Sequence, residues 1–247
     1  MGEYVRLSLV LLLLLVLGTA ACLPFYKWNV SRLVRSQLFV KCMMWIPIYA
    51  VFTVIIASAY YSGVIVAGLI FVAGVREYKR QIHKRSSVQA TTYMVLFCLW
   101  MLCMAGVFVV LGDAFRPFVI AVGISSVLSD VVAFFGGKFL GVHALPRWIN
   151  PGKSWEGVGG QVVGGVVGMA IVIVAYGTSL GLWFGVVIGC ASAVGDVANS
   201  IAKRSLGIKD WSRAIPGHGG FLDRFSSLSA AFAAAFLVVL IEHLPRL

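Results

Sequence analysis

Charged residues are scarce in this sequence, and their scarcity decides the class of protein. Only 12% of the 247 residues are Asp, Glu, Lys or Arg, whereas 60% are hydrophobic. A soluble domain carries about a quarter charged residues, so this chain cannot cover a water-facing globule. The five cysteines include no CxxC pair and lie in apolar runs, which predicts neither disulfides nor a zinc site. The sequence therefore predicts an integral membrane protein.

Long apolar runs predict the fold class. A helix needs about 20 apolar residues to cross the bilayer, and about eight stretches of the sequence approach that length. We predict an all-α, polytopic integral membrane protein with about eight transmembrane helices. The predicted spans are approximately residues 5–26, 38–58, 59–75, 90–112, 115–135, 157–176, 179–199 and 227–244.

Acidic residues are also few, nine against 20 lysines and arginines, and the formal net charge is +11. Of the 20 basic residues, 17 follow odd-numbered spans, whereas the loops after even-numbered spans contain only Arg116. The positive-inside rule then places the odd-numbered loops in the cytoplasm and both termini outside. Because topology explains the positive charge, we expect no nucleic-acid partner.

The first span has some features of an export signal. Arg6, a leucine-rich run and the sequence Thr19-Ala20-Ala21-Cys22 resemble an exported or lipoprotein leader. The apolar run is longer than the core of a typical leader, and Thr19 stands where a lipoprotein site usually has Leu. We predict an uncleaved transmembrane helix, with a cleaved leader as the alternative.

Small residues recur at every fourth position in the sixth and seventh spans. They are Gly160, Gly164 and Gly168 in the sixth, and Gly181, Gly185, Gly189 and Ala193 in the seventh. Such stripes let helix backbones approach closely. We predict that these two consecutive helices pack on each other; the alternative is the seam of a dimer.

Two acids lie inside apolar helices, Asp130 near the end of the fifth span and Asp196 near the end of the seventh. An ionisable group at that depth costs several kcal/mol unless it has a partner, so each is a functional-site hypothesis. The alternative is a buried Asp that only bonds a neighbouring helix. Helical spacing also aligns Asp196 with Asn199, Ser200 and Lys203 on one face.

The segment after the seventh span combines acids, bases and glycines. Its residues include Lys203, Arg204, Lys209, Asp210, His218, Gly219, Gly220, Asp223 and Arg224. Lys and Arg neutralise phosphate oxygens, carboxylates hold a divalent ion, and glycine lets backbone N–H groups approach an anion. The pattern predicts a phosphate and metal site. An ordinary loop made basic by topology would explain the bases but not the carboxylates.

A second polar segment, residues 150–157, precedes the sixth span. Its Gly152-Lys153-Ser154 is similar to the end of a P-loop, but Arg147 stands where that motif needs Gly and no strand precedes it. We therefore exclude a P-loop. Lys153 and the free N–H groups at the start of the following helix can still bind a phosphate.

Together these segments resemble the phosphatidate cytidylyltransferase (CDP-diacylglycerol synthase) family. From Ser200 to Arg224 the sequence reads S-x2-K-R-x4-K-D-x5-P-x-H-G-G-x2-D-R, which matches the family's defining motif in residues and spacing. Residues 151–157 and 130–136 resemble two further family segments. The resemblance covers residues 130–244, and we therefore divide the chain into N-terminal transmembrane helices, 1–114, and a C-terminal catalytic region, 115–247.

The resemblance implies transfer of CMP from CTP to phosphatidic acid, with release of pyrophosphate, at the cytoplasmic surface of the cell's inner or plasma membrane. It implies a homodimer, and Mg²⁺ with a second cation held by Asp196 and Asp223. The implied catalytic residues are Asp196, Lys209, Asp210, Asp223 and Arg224. The implied substrate-binding residues are Lys153, Ser154, Ser200, Lys203, Arg204, His218, Gly219 and Gly220.

Two positions depart from the family pattern: Ser226 and Asn199 stand where members usually carry acids. The departures keep other hypotheses open. One is a CTP-dependent kinase for a polyprenol or phytol, which needs a base for the substrate hydroxyl. Another is a non-catalytic family member that binds lipid or assembles with a partner. A small transporter with Asp130 and Asp196 at a pseudo-repeat does not explain the long glycine-containing loop.

Overall fold

A computed structural model of the protein describes residues 3–215 and 219–243. Over these residues the chain forms ten α-helices and no β-strand, apart from two isolated bridges. The helices are α1 Glu3–Ala20, α2 Val30–Val34, α3 Gln37–Met43, α4 Trp45–Ala57, α5 Tyr61–Ile82, α6 Val88–Leu111, α7 Phe115–Phe139, α8 Trp155–Tyr176, α9 Leu182–Ser205 and α10 Phe221–His243. The all-α prediction is confirmed.

The apolar helices are long enough for an integral membrane protein with several crossings. Within the described residues there are seven candidate spans, of which Val88–Phe139 is 52 residues long. At 1.5 Å per residue a single helix of that length would reach about 78 Å, far beyond a bilayer. This run contains two helices, α6 and α7, because Gly112 at φ +50° ends α6 and a short 3₁₀ turn follows. Divided there, the spans agree with the predicted number.

Two predicted boundaries differ from the structure. The second span is two helices, since α3 ends at Met43 and α4 begins at Trp45. The third was predicted to end at residue 75, but α5 continues to Ile82. The helix therefore continues beyond its apolar part through the basic residues from 76 onward. As a result, Glu77 lies on a helix and not on a loop.

Glycine contacts determine how the central helices pack. The prediction that α8 and α9 pack on each other is confirmed, because Gly165 of α8 lies against the backbone of Gly185 and Gly189 of α9. The prediction was wrong for the α8 stripe that includes Gly164, which was expected to face α9. A Cβ at Gly164 would lie 2.3 Å from the carbonyl oxygen of Leu128, so this face of α8 packs on α7.

The loops after α5, α7 and α9 lie together at one end of the bundle. Gln81 of α5 donates to the carbonyl of Trp211 after α9 (2.7 Å), and Lys153 before α8 reaches Asp196 of α9 (2.6 Å). At the opposite end, Arg6 of α1 donates to the carbonyl of Ala175 of α8 (3.5 Å). This relative arrangement agrees with the predicted topology, while the cytoplasmic side and the outside termini stay predictions, as does the uncleaved first helix.

Candidate active site

A cavity of about 600 Å³ lies among α7, α8, α9 and α10 at the end where these loops meet. Charged side chains of both signs line it. They are the acids Asp130, Asp196 and Asp223 and the bases Lys138, Lys153 and Arg224. A volume of this size holds a small molecule, and mixed charge suits a polyanion that binds with a cation.

Lys153 reaches the cavity because the preceding loop fixes it at the start of α8. The backbone N–H of Leu145 donates to the carbonyl of Lys153 (2.8 Å), and the Ser154 hydroxyl caps α8 by accepting from Gly157 N–H (3.1 Å). The Lys153 ammonium lies 2.6 Å from Asp196 Oδ2. The structure therefore brings Lys153 and Asp196 together, while a substrate contact of Ser154 stays a prediction.

Asp223 forms the second ion pair of the cavity. Its Oδ1 lies 2.5 Å from the Lys203 ammonium, and the two side chains are only 2% and 13% exposed. Its Oδ2 accepts the backbone N–H groups of Trp211 and Gly220, both at 2.9 Å. Gly219 is required beside it, since φ is +84° and a Cβ would lie 2.8 Å from the carboxylate. The motif loop thus folds around Asp223.

Asp130 is the third carboxylate of the cavity. Its Oδ2 accepts from the Ser227 hydroxyl of α10 (2.9 Å), whereas its Oδ1 is buried and has no hydrogen-bond partner among the described residues. The similar segments before Asp130 and Asp196 lie side by side, because the Ser126 and Ser192 hydroxyl oxygens are 3.3 Å apart. Asp130 bonds a neighbouring helix and also lines the same cavity as the other two acids, while its functional role stays a prediction.

Other predicted residues lie around the cavity without lining it. Ser200 accepts a hydrogen bond from Asn150 (3.4 Å), which links the two polar segments of the sequence. Arg204 donates to the carbonyl of Ile208 (3.1 Å) at the end of α9. Lys209 and Asp210 are exposed on the following loop. The predicted residue His218 lies outside the described residues.

Three side chains of the site were missed by the sequence analysis. Gln161 donates to Asp196 Oδ2 (3.1 Å), and it is the one polar side chain of α8 between residues 158 and 175, which was a usable signal. Glu77 accepts from the N–H groups of Phe221 and Leu222 at the start of α10. Trp211 has a buried side chain, and its backbone N–H donates to Asp223 Oδ2. Nothing local in the sequence distinguishes these last two.

The two positions that depart from the family pattern form one neutral network. Asn199 and Ser226 are buried, 2% and 0% exposed, and the Asn199 amide donates to the Ser226 hydroxyl (3.4 Å). The Asn199 side-chain oxygen, Oδ1, accepts from the Trp211 indole N–H (2.7 Å). Neither residue lines the cavity. Here Asn199 holds the Trp211 indole and Ser226 bonds Asn199, and the charge of the cavity comes from other residues.

The acids fit a divalent ion in their chemistry. Carboxylate oxygens are the ligands that Mg²⁺ prefers, and this ion commonly binds through one or two carboxylates together with substrate phosphates. Asp130 lines the same cavity, and its buried Oδ1 has no hydrogen-bond partner among the described residues. Over residues 3–215 and 219–243, no three His, Cys, Asp or Glu side chains are grouped closely enough to hold an ion by themselves. An ion bound by one or two of these acids would take its remaining ligands from other oxygens, such as water or the phosphates of a substrate.

Comparison with known proteins gives consistent matches. The chain is similar to the phosphatidate cytidylyltransferase of Mycobacterium bovis, 33% identical over 157 residues, which cover 62% of this chain and 51% of that protein. It is 39% identical over 111 residues to the phosphatidate cytidylyltransferase of Haemophilus influenzae, covering 42% of this chain and 38% of that protein. The enzyme of the same name from Brucella abortus is 35% identical over 113 residues, with 44% and 42% covered.

These matches span about half the length of the curated relatives or less. A family model covers more of the chain: the model of the cytidylyltransferase family matches residues 3–242. That range includes all three cavity acids as well as Glu77 in the N-terminal half. On this match over nearly its whole length, the chain belongs to the cytidylyltransferase family.

Proposed function

We propose that this protein transfers CMP from CTP to phosphatidic acid and forms CDP-diacylglycerol and pyrophosphate in phospholipid biosynthesis. The observation that carries the proposal is the cavity itself, in which Asp130, Asp196 and Asp223 meet Lys138, Lys153 and Arg224 at one end of a membrane helix bundle. A lipid phosphate and a nucleotide triphosphate are both anions, and a site between membrane and water can reach both. The names of the similar proteins support the same reaction.

The reaction makes simple demands on the chain. A phosphate oxygen of phosphatidic acid attacks the α-phosphorus of CTP, the bond to the β-phosphate breaks, and pyrophosphate leaves. The attacking oxygen is already ionised at neutral pH, so no side chain must remove a proton. The main demand is charge neutralisation between two anions, which Lys153, Lys203 and Arg224 can supply.

We further propose Asp196 and Asp223 as the ligands of Mg²⁺, which would neutralise the CTP phosphates when bound. In the structure each carboxylate is paired with a lysine, Asp196 with Lys153 and Asp223 with Lys203. A polyanionic substrate offers both lysines an alternative partner. The second cation, the homodimer and the cytoplasmic position of the site are parts of the same proposal.

The proposal is tested by following the label of CTP. Purified protein in mixed micelles is incubated with phosphatidic acid, Mg²⁺ and CTP labelled at the α-phosphate, with EDTA as a control. We expect label in the lipid fraction, release of pyrophosphate and loss of both with EDTA. No transfer from α-labelled CTP, or transfer from γ-labelled CTP to polyprenol or phytol instead, would contradict cytidylyl transfer.

Asp196→Asn is expected to raise the Mg²⁺ concentration for half-maximal CMP transfer at least about tenfold, because the substitution removes a proposed ligand charge. The measurement is a Mg²⁺ titration at saturating CTP and lipid. Gln161→Met is the matched control: it removes the amide that donates to Asp196 Oδ2 and keeps the carboxylate, so a smaller shift is expected. An unchanged Mg²⁺ dependence in Asp196→Asn would remove Asp196 from the ligand set.

A further inference from the structure

The N-terminal half of the chain contributes a buried acid to the active site. Glu77 of α5 is only 5% exposed. Its Oε1 accepts the Ser212 hydroxyl (2.6 Å) and Phe221 N–H (2.9 Å), and its Oε2 accepts Leu222 N–H (3.0 Å). We infer that Glu77 is a positioning residue, which fixes the start of α10 and with it the Asp223 carboxylate. The inference rests on the proposed function of the cavity.

The first step of the argument concerns the start of α10. The first N–H groups of a helix have no partner within the helix, and a negative charge is favourable there because of the helix dipole. Glu77 satisfies two of these groups, those of Phe221 and Leu222, from another helix. Asp223 is the next residue, so a shift of this turn moves the carboxylate directly.

The second step concerns the space that the carboxylate occupies. A Cβ at Gly220 would lie 2.5 Å from Glu77 Oε2. Glycine at this position therefore lets Glu77 approach the backbone at the start of α10. The same Gly220 donates its N–H to Asp223 Oδ2 (2.9 Å). Gly220 thus allows the carboxylates of Glu77 and Asp223 to lie against adjacent backbone groups of the same turn.

The third step concerns the other end of the motif loop. Gln81 lies one helical turn after Glu77 on the same face of α5, and it donates to the carbonyl of Trp211 (2.7 Å). The N–H of Trp211 in turn donates to Asp223 Oδ2 (2.9 Å). The face of α5 formed by Glu77 and Gln81 therefore holds both ends of the loop that precedes Asp223, at Trp211–Ser212 and at Phe221–Leu222.

The test compares Glu77→Gln with Arg116→Met. Gln is isosteric but places an amide N–H₂ against backbone donors, which is expected to shift the first turn of α10. Arg116 bonds the carbonyls of Ile56 and Ser58 at the opposite end of the bundle, so its loss affects stability away from the cavity. Melting temperature, kcat and the separate KM values for CTP and phosphatidic acid are measured for both variants.

We expect kcat of Glu77→Gln to fall at least about tenfold, since a misplacement on the order of 1 Å can cost about 100-fold. The KM for phosphatidic acid is expected to change less than kcat, because the cavity walls on α7 and α8, including Lys138 and Lys153, are unchanged. Arg116→Met is expected to melt earlier with kcat retained. Equal kcat in the wild type and Glu77→Gln, or an equal kcat loss in both variants, would overturn the inference.

Two additions keep the result decisive. If Glu77→Gln is not monodisperse, Ser212→Ala replaces it, because this substitution removes only one donor to Glu77. For Ser212→Ala we expect the same pattern with a smaller loss of kcat. An unchanged kcat contradicts the inference. Hydrogen exchange of peptides from 206–224 is measured as well. Faster exchange in Glu77→Gln and unchanged exchange in Arg116→Met are expected. This readout needs no CMP transfer, so it distinguishes a failed positioning role from a failed proposed function.

Discussion

Asp223→Asn is expected to lower the proposed CMP transfer at least about 100-fold, which is a common cost of removing a preorganised polar group from a reacting site. The same substitution is expected to destabilise the fold by about 3 kcal/mol, because it leaves a largely buried ammonium without its partner. That ammonium is Lys203, whose side chain is 13% exposed. The measurements are initial rates with labelled CTP and thermal melting in detergent.

A double variant separates the two effects of losing Asp223. Asp223→Asn combined with Lys203→Met removes both charges, and replacing a whole buried pair is often close to neutral for stability. We expect most of the melting temperature to return while activity stays absent. Asp113→Asn, an exposed acid at the other end of the bundle, is the activity control. Activity near the wild-type level in the double variant would show that Asp223 has only a structural role.

Gly164→Val is expected to prevent correct packing of the central helices, with a loss of roughly 3 kcal/mol or more. A Cβ at this position would lie 2.3 Å from the carbonyl oxygen of Leu128 and 2.7 Å from the Cα of Ser129. Both atoms belong to the backbone of α7, which cannot yield as a flexible side chain can. The helices must separate, and Asp130 on α7 would move with them. Melting temperature and the monodisperse fraction measure the effect.

Gly159 provides the matched control on the same helix. It is exposed, and an added Cβ there meets no atom within 4 Å. Gly159→Val is therefore expected to leave the melting temperature nearly unchanged. Because both variants replace Gly by Val in the same helix, their helix propensities change equally, and the difference between them reports the packing at Gly164. Similar melting temperatures for the two variants would show that α7 and α8 do not depend on this close approach.

Several features were determined by residues close together in the sequence. The scarcity of charge predicts the membrane class, and apolar runs predict the helices, because a bilayer requires about 20 apolar residues per crossing. Acids such as Asp130 and Asp196 are conspicuous inside such runs, since an ionisable group there is costly. The motif from Ser200 to Arg224 also predicts the family from local sequence, because its acids, bases and glycines occur at fixed short spacings.

Only the tertiary structure decided which of these elements meet. Glu77 and Ser212 are separated by 135 positions, so no periodicity or motif could join them. Gly164 belongs to a stripe that fits any close neighbour, and only the packed bundle chooses α7 over α9. The sequence determines which helices form and where charge is carried, because these depend on local composition. Their partners depend on shape and hydrogen bonding across the bundle, which exist only after the helices have packed.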